Sequence, residues 1–303
     1  MVKFYENRKI YYIISAVLLI AGIVGLFVNG VKLDISFSGG AKITYSYTGD
    51  EINATEVEAL VKDTLKRDST VQNATGYQTD DKSLVISLSG TQSLSTEEQT
   101  ALYDALSKKY ANNKIEQGST TNVEASIGRR FLRNGFIAIA IAAVFMIVWV
   151  TLRFKVVSGF TAAATALIAL FHDILLVFFV FVLFKIPIND GFIAVVLTIL
   201  GYSINDTLVI FDRIRENKKL AGNKSISVET LVNKSIQQSL TRTVNTSLMT
   251  LAALVLVLIF GWIKGLSSIV NFALPMMVGI ISGCYSSSFL APCIWGSIKK
   301  RSK

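Results

Sequence analysis

Six stretches of the chain are almost unbroken runs of apolar side chains: 10–28, 134–152, 158–184, 191–211, 244–261 and 266–298. About 20 apolar residues, at 1.5 Å each along a helix, cross roughly 30 Å of hydrocarbon. The six runs therefore predict six transmembrane helices. The first is longer than a signal-peptide core and has no small-residue cleavage site behind it, so it reads as a retained signal anchor. The third and sixth exceed what one crossing needs, which predicts tilt or a kink, with Pro275 and Pro292 as kink positions in the sixth.

Between the first two runs the pattern changes to that of a water-soluble domain. Residues 41–47 alternate apolar and polar as a strand does. Thr55-x-x-Glu58 reads as a capping box opening a helix with Val57, Leu60, Val61 and Leu65 on one face. Residues 71–79 and 83–88 read as strands, Ser95-x-x-Glu98 caps a second helix carrying Leu102, Ala105 and Leu106, and 119–125 is a last extended run. The order β-α-β-β-α-β predicts a ferredoxin-like arrangement. The predicted class is thus a polytopic α-helical membrane protein with one α+β ferredoxin-like extracytoplasmic domain. Its parts are 1–28, a cytoplasmic N-terminus and first span; 29–133, the outer domain; 134–298, spans two to six with a basic loop at 212–243; and 299–303, a basic tail.

Composition agrees with this division. Of 303 residues 51% are hydrophobic and 17% charged, where a soluble globule has about a quarter charged; the mean hydropathy is +0.51. The net charge of +9 is distributed by the positive-inside rule rather than as a nucleic-acid surface. Lys3, Arg8 and Lys9 precede the first span, and Arg153 and Lys155 follow the second. Arg213, Arg215, Lys218, Lys219, Lys224, Lys234 and Arg242 follow the fourth, and Lys299, Lys300, Arg301 and Lys303 end the chain. The opposite short loops hold only Lys185 and Lys264. This places both termini in the cytoplasm and 29–133 outside. Cys284 and Cys293 lie in the last run and read as free thiols. Neither a P-loop, nor a nucleophile elbow, nor a metal-ligand cluster is present, so the chain does not read as an enzyme, and any work across the membrane draws on an ion gradient or a partner.

Two acids stand where acids are expensive. Asp173 lies near the middle of the third run beside His172, the single histidine, and Asp206 lies in the fourth. An ionised Asp at a helix centre costs about 2.5–3.5 kcal/mol on insertion, so a retained one is a functional hypothesis by default. The plainer reading is an acid neutralised by a fixed partner for helix packing. Neighbours on a helix point about 100° apart, so His172 and Asp173 need not serve one site. Ser203 and Asn205 make the surroundings of Asp206 polar, and Arg242, Asn245, Thr246 and Thr250 form a polar stripe at the start of the fifth span. Such a stripe is expected to face the bundle interior or a watery crevice. From there Arg242 could pair with Asp206 while it is ionised and release it on protonation; the alternative is a basic flank of the span. Gly279, Gly283, Ser287 and Ala291 recur every four residues, as at close helix contacts.

The run Gly201-Tyr202-Ser203-Ile204-Asn205-Asp206-Thr207, continuing through Phe211-Asp212-Arg213-Ile214-Arg215-Glu216-Asn217, resembles the SecF family of bacterial protein export. Phe37-Ser38-Gly39-Gly40, His172-Asp173, the segment from Ser239 through Thr241-Arg242-Thr243 to Ser247, and Tyr285-Ser286-Ser287 resemble other motifs of that family. The resemblance covers essentially the whole chain. It implies half of a transporter of the resistance-nodulation-division type in the bacterial cytoplasmic membrane, with a SecD-like subunit supplying the other six spans. It further implies use of the proton motive force, or a sodium gradient, to draw preproteins outward after the SecYEG channel, with YajC and membrane lipids as further partners and no bound cofactor. The family's proton-linked Asp and Arg fall on Asp206 and Arg242, and its third-span acid on Asp173. Two places depart from the pattern: Ser36 stands where the family has Asp, with Asp34 two residues earlier, and Val123-Glu124-Ala125 replaces V-G-P. A non-transporting scaffold of the Sec complex is one alternative. Half of a small-molecule or lipid exporter is another, opposed by an outer domain of only about 100 residues, too small for the porter domains of such a pump.

Overall fold

The structure is a computed structural model that describes residues 3–67, 69–75, 82–89, 94–123, 125–154, 157–222 and 226–301. Helix α1 (Arg8–Asn29) leads through one short turn, α2 (Ile35–Ser38), into strand β1 (Gly40–Tyr47). Then follow α3 (Ala54–Leu65), β2 (Ser69–Thr75), β3 (Lys82–Ser89), α4 (Thr96–Lys109) and β4 (Glu116–Val123). Helices α5 (Ala125–Arg153), α6 (Gly159–Leu183), α7 (Asp190–Ala221) and α8 (Val228–Ile263) come next. The last spanning helix is built from α9 (Ser267–Tyr285), a π-helical segment Ser286–Leu290, and α10 (Ala291–Arg301). Among the described residues six helices are long and apolar enough to cross a membrane.

The small domain is ferredoxin-like. Its antiparallel sheet has the order β2-β3-β1-β4, with Ile43 opposite Ile86 on one side and Thr120 on the other. Strand β1 alternates: Ala41, Ile43, Tyr45 and Tyr47 are buried, and Lys42 is exposed. Those residues join Leu84, Ile86 and Leu88 of β3 against Val57 and Val61 of α3 and Leu102 and Leu106 of α4. A period of two on the strands and of three to four on the helices thus meets in one core.

Local details differ from the sequence reading. Helix α3 is capped by Asn53, whose side chain accepts from Thr55 N–H at 2.9 Å. Asn caps at least as well as Thr, and Glu58 is thereby freed to accept from Val71 N–H of β2 at 3.2 Å. The box at Ser95 and Glu98 forms with both of its bonds. Strands β2 and β4 start earlier than expected, at Ser69 and Glu116, and Ala125 already belongs to α5. Residues 76–79, Glu124, Lys155, Lys224 and Lys303 lie outside the described residues. Helix α5 also extends into the stretch assigned to the domain, because Gly128 lets it press on the Phe37 carbonyl of α2. There Asp34 caps α2, accepting from Ser36 N–H and Oγ at 2.9 and 2.7 Å, so the acid two residues early still closes this turn. Gly40, at φ +140°, has no room for a Cβ against the Leu88 carbonyl.

Two membrane features are also corrected. Residues 212–243 are not a loop: α7 continues to Ala221 and α8 begins at Val228, because the apolar window marks the hydrocarbon and not the end of the helix. The sixth helix is interrupted by the π segment rather than at Pro275, which lies inside α9. Pro292 has no N–H for the Ser288 carbonyl and its ring crowds it, and the wider turn directly before it accommodates both defects.

Helix α6 is the centre of the bundle, with 61% of its apolar window buried against 11% for α8. Helix α1 packs on it through Gly22 and Gly25, where a Cβ would meet Phe179 and Leu183. The end of the bundle away from the small domain is tied by polar contacts. Tyr5 N–H donates to Asn233 Oδ1 at 2.7 Å, Lys299 Nζ to Ser158 Oγ at 2.6 Å, and Lys300 pairs with Glu229 at 2.6 Å. Cys284 and Cys293 are both free.

Two measurements check this core. Leu102→Ala is expected to destabilise the small domain by about 2–5 kcal/mol, read by pulse proteolysis of the intact chain. The Tyr45 hydroxyl is buried without a partner among the described residues, and burial, with Tyr103 beside it, pushes its phenol up to about 12. An unfolded phenol ionises near pH 10, so this contribution is complete below about pH 10 and is lost as the pH rises through about 12. Tyr45→Phe should flatten that alkaline loss and remove one late-titrating phenol from a spectrophotometric titration.

Candidate functional site

Asp173, in the middle of α6, is 0% exposed. Three hydroxyls donate to its carboxylate: Ser203 of α7 and Ser286 of the π segment to Oδ2, each at 2.7 Å, and Ser282 of α9 to Oδ1 at 2.5 Å. His172 Nδ1 lies 3.2 Å from Oδ1, so the two neighbours do meet in one site although their Cα–Cβ bonds diverge. Donors from three elements take the place of water around a charge in an apolar bundle. The chain of hydroxyls continues. Ser287 Oγ lies 3.3 Å from Ser203 Oγ and 2.8 Å from Thr207 Oγ1, and donates to the Ser203 carbonyl at 2.9 Å.

Close approach makes these bonds possible. A Cβ on Gly283 would stand 3.2 Å from Ser203 Cβ, and one on Gly279 would stand 2.6 Å from Ile199 Cδ1. The π turn, whose Ala291 N–H reaches back five residues to the Ser286 carbonyl, sends Ser286 towards α6 and Ser287 towards α7. The backbone irregularity sits at the polar cluster itself, where such bulges are common.

Asp206 is the second buried acid, 2% exposed on α7. Its Oδ2 is buried and has no hydrogen-bond partner among the described residues. Arg242 is the cation whose charge reaches it, but among the described residues no ion pair joins the two. Instead Arg242 lines a polar cleft of about 370 Å³ between α7 and α8, together with Asn205, Asp212, Arg213, Glu216 and Gln238. The cleft holds the pair Arg213–Glu216 at 2.7 Å, and Asp212 also binds Arg215 at 2.8 Å.

The polar stripe of α8 does not face the interior of this bundle. Arg242, Asn245 and Thr246 are exposed, and Thr246 Oγ1 turns back to the Arg242 carbonyl at 2.9 Å. The buried polar face is Ser239, Thr243 and Ser247, a helix face rotated from the first by the 100° step per residue. Ser247 accepts from Tyr202 OH at 2.9 Å. The structure therefore brings together Asp173, His172, Ser203 and Ser287, and leaves Asn205 and Arg242 lining a separate cleft, with Asp206 buried on α7 next to Asn205. Sequence reasoning gave no role to Ser282, Ser286 or Thr207. The available signal was Ser282 and Ser286, four residues apart in an apolar run, followed by two more serines.

Comparison with known proteins places this architecture. Residues 103–301 match the family model described as "Protein export membrane protein SecD/SecF, C-terminal". The chain is 33% identical over 305 residues to the protein translocase subunit SecDF of Bacillus subtilis, covering 98% of this chain but 38% of that protein. It is 30% identical over 308 residues to the protein translocase subunit SecF of Petrotoga mobilis, covering 100% of this chain and 98% of that one. The crystal structure of SecDF from Thermus thermophilus superposes with a TM-score of 0.79 at 26% identity, covering all of this chain and 39% of that one. The chain thus spans just over a third of the fused SecDF proteins and nearly the full length of a separate SecF. With six spans, one ferredoxin-like insertion after the first, and these matches, the chain belongs to the SecD/SecF family of protein export membrane proteins and is of its SecF type.

Proposed function

We propose that this subunit works with a SecD-like partner in the bacterial cytoplasmic membrane, using the proton motive force to promote preprotein translocation from the SecYEG channel. The observation that carries the reading is Asp206, a buried acid with an oxygen that has no hydrogen-bond partner among the described residues, next to Asn205, which lines a polar cleft. An acid held this way changes its interactions most when it gains or loses a proton. The partner is supported by the face of α7 and α8 that carries Asn205, Asn245 and Thr246 at membrane depth. Polar groups there need protein or water against them, not hydrocarbon. SecYEG, YajC and unfolded preproteins are further proposed partners, on the strength of the family alone.

A route for the work also runs through the sixth helix. Its serines hold Asp173, and its first residue, Ser267, donates through Oγ to the Asn73 carbonyl of β2 at 2.6 Å. A proton arriving in the hydroxyl chain would rearrange the donors around Asp173 and move a helix whose other end touches the small domain. The scaffold reading draws on one observation: both Asp173 oxygens already have donors, enough to hold α6, α7 and α9 together as a fixed packing element. The basic residues at the start of α1, the end of α5 and the α7–α8 turn support cytoplasmic termini and an external small domain.

Asp206→Asn keeps the shape and removes the titrating group. Gradient-driven export is expected to fall to the level of cells lacking the subunit, with co-purification of the SecD-like partner unchanged. Normal export by the variant would sink the coupling role, and lost co-purification would favour the scaffold. Export that follows an imposed sodium gradient would keep Asp206 and change the ion. For orientation, an impermeant maleimide should label Thr96→Cys in intact cells and Lys219→Cys only after lysis; the reverse would invert the topology.

A further inference from the structure

At the point where α1 hands over to the small domain, a slot of about 640 Å³ opens between two lengths of extended backbone and over helix α3, which contributes Thr55, Glu58 and Ala59. One wall is the linker after Gly30. Its Leu33 bridges Ile188 in parallel, through Ile188 N–H to the Lys32 carbonyl at 2.9 Å and Asp34 N–H to the Ile188 carbonyl at 3.0 Å. The flanking residues make those bonds, so the N–H and C=O of Leu33 itself point away from Ile188. Neither has a partner among the described residues. The other wall is β2, an edge strand of the sheet. Val71 N–H turns outward to Glu58, and alternation gives Ser69 the same outward direction for its N–H and C=O. Farther along, Ser267 covers the edge at Asn73, but Ser69 and Thr70 line the slot, and Ser69 Oγ also has no partner among the described residues.

We propose that this slot receives an extended polypeptide segment, added as a strand along the start of β2. The assignment rests on the export reading above and names where the exported chain would touch this subunit. A strand laid on a sheet edge is held by main-chain bonds, so its binding is largely blind to sequence. That suits a site whose client varies. Lys32 and Glu58 stand 3.9 Å apart at the slot and offer both signs of charge, so neither sign of side chain is excluded. The slot begins at Val31, directly past the end of the first span, where a chain leaving the membrane passes.

The test places the photo-cross-linker p-benzoylphenylalanine at Ala59, an exposed slot residue, in the full-length chain in membranes carrying a preprotein stalled in translocation. The preprotein adduct should exceed several-fold that from Lys108, an exposed position of α4 away from the slot. Thr55→Cys, joined by a disulfide to a single-cysteine preprotein, gives an independent readout that Ala59→Trp should reduce. Equal yields at Ala59 and Lys108, or adducts to phospholipid instead of polypeptide, overturn the proposal. Asp206→Asn is measured in parallel. Lost gradient-driven export without a preprotein adduct removes the slot and leaves the coupling, whereas normal export with a strong adduct removes the coupling and leaves the slot.

Discussion

The carboxylate of Asp173 sets the terms for the membrane bundle. An ionised acid at this depth costs about 2.5–3.5 kcal/mol even on insertion scales. Each hydrogen bond to a charged group returns about 1.5–3 kcal/mol, so Ser203, Ser282 and Ser286 together are of the size needed to offset it. Those donors come from different helices, so their convergence also fixes which helices touch. Gly279 and Gly283 are small because α9 must approach α7 at that level, and the π turn exists where Ser286 and Ser287 must serve two neighbours.

Asp206 is treated in the opposite way. It shares a helix with Ser203, yet one of its oxygens is buried without a hydrogen-bond partner among the described residues, and no ion pair among them joins it to Arg242, which lines the neighbouring cleft. One acid is fully solvated by protein and the other is left unfinished. That contrast separates a carboxyl held by hydroxyls of α7 and the sixth helix from one with an oxygen that has no hydrogen-bond partner among the described residues. On the neighbouring helix α8, Asn245 and Thr246 also point outward.

The sixth helix joins the two halves of the molecule. It holds Asp173 near its middle and meets the β2 edge through Ser267 at its start. The ferredoxin-like domain therefore stands on the bundle by the same strand that forms one wall of the slot at the membrane surface. That helix and that edge are in direct contact.

Much of this was readable along the chain because it follows from local rules. The length of each apolar run fixes six spans, the alternation in β1 fixes which side chains are inside, and insertion cost alone singles out Asp173 and Asp206. What the linear pattern could not convey was rotation and distance. Whether Arg242 and Asn245 face inward depends on how α8 is turned about its axis, and the neighbouring helices decide that. The serine cage likewise joins residues 30 to 113 positions apart, so no spacing rule announces it. The sequence determined which groups are too polar for hydrocarbon; the packing decided which of them would be satisfied.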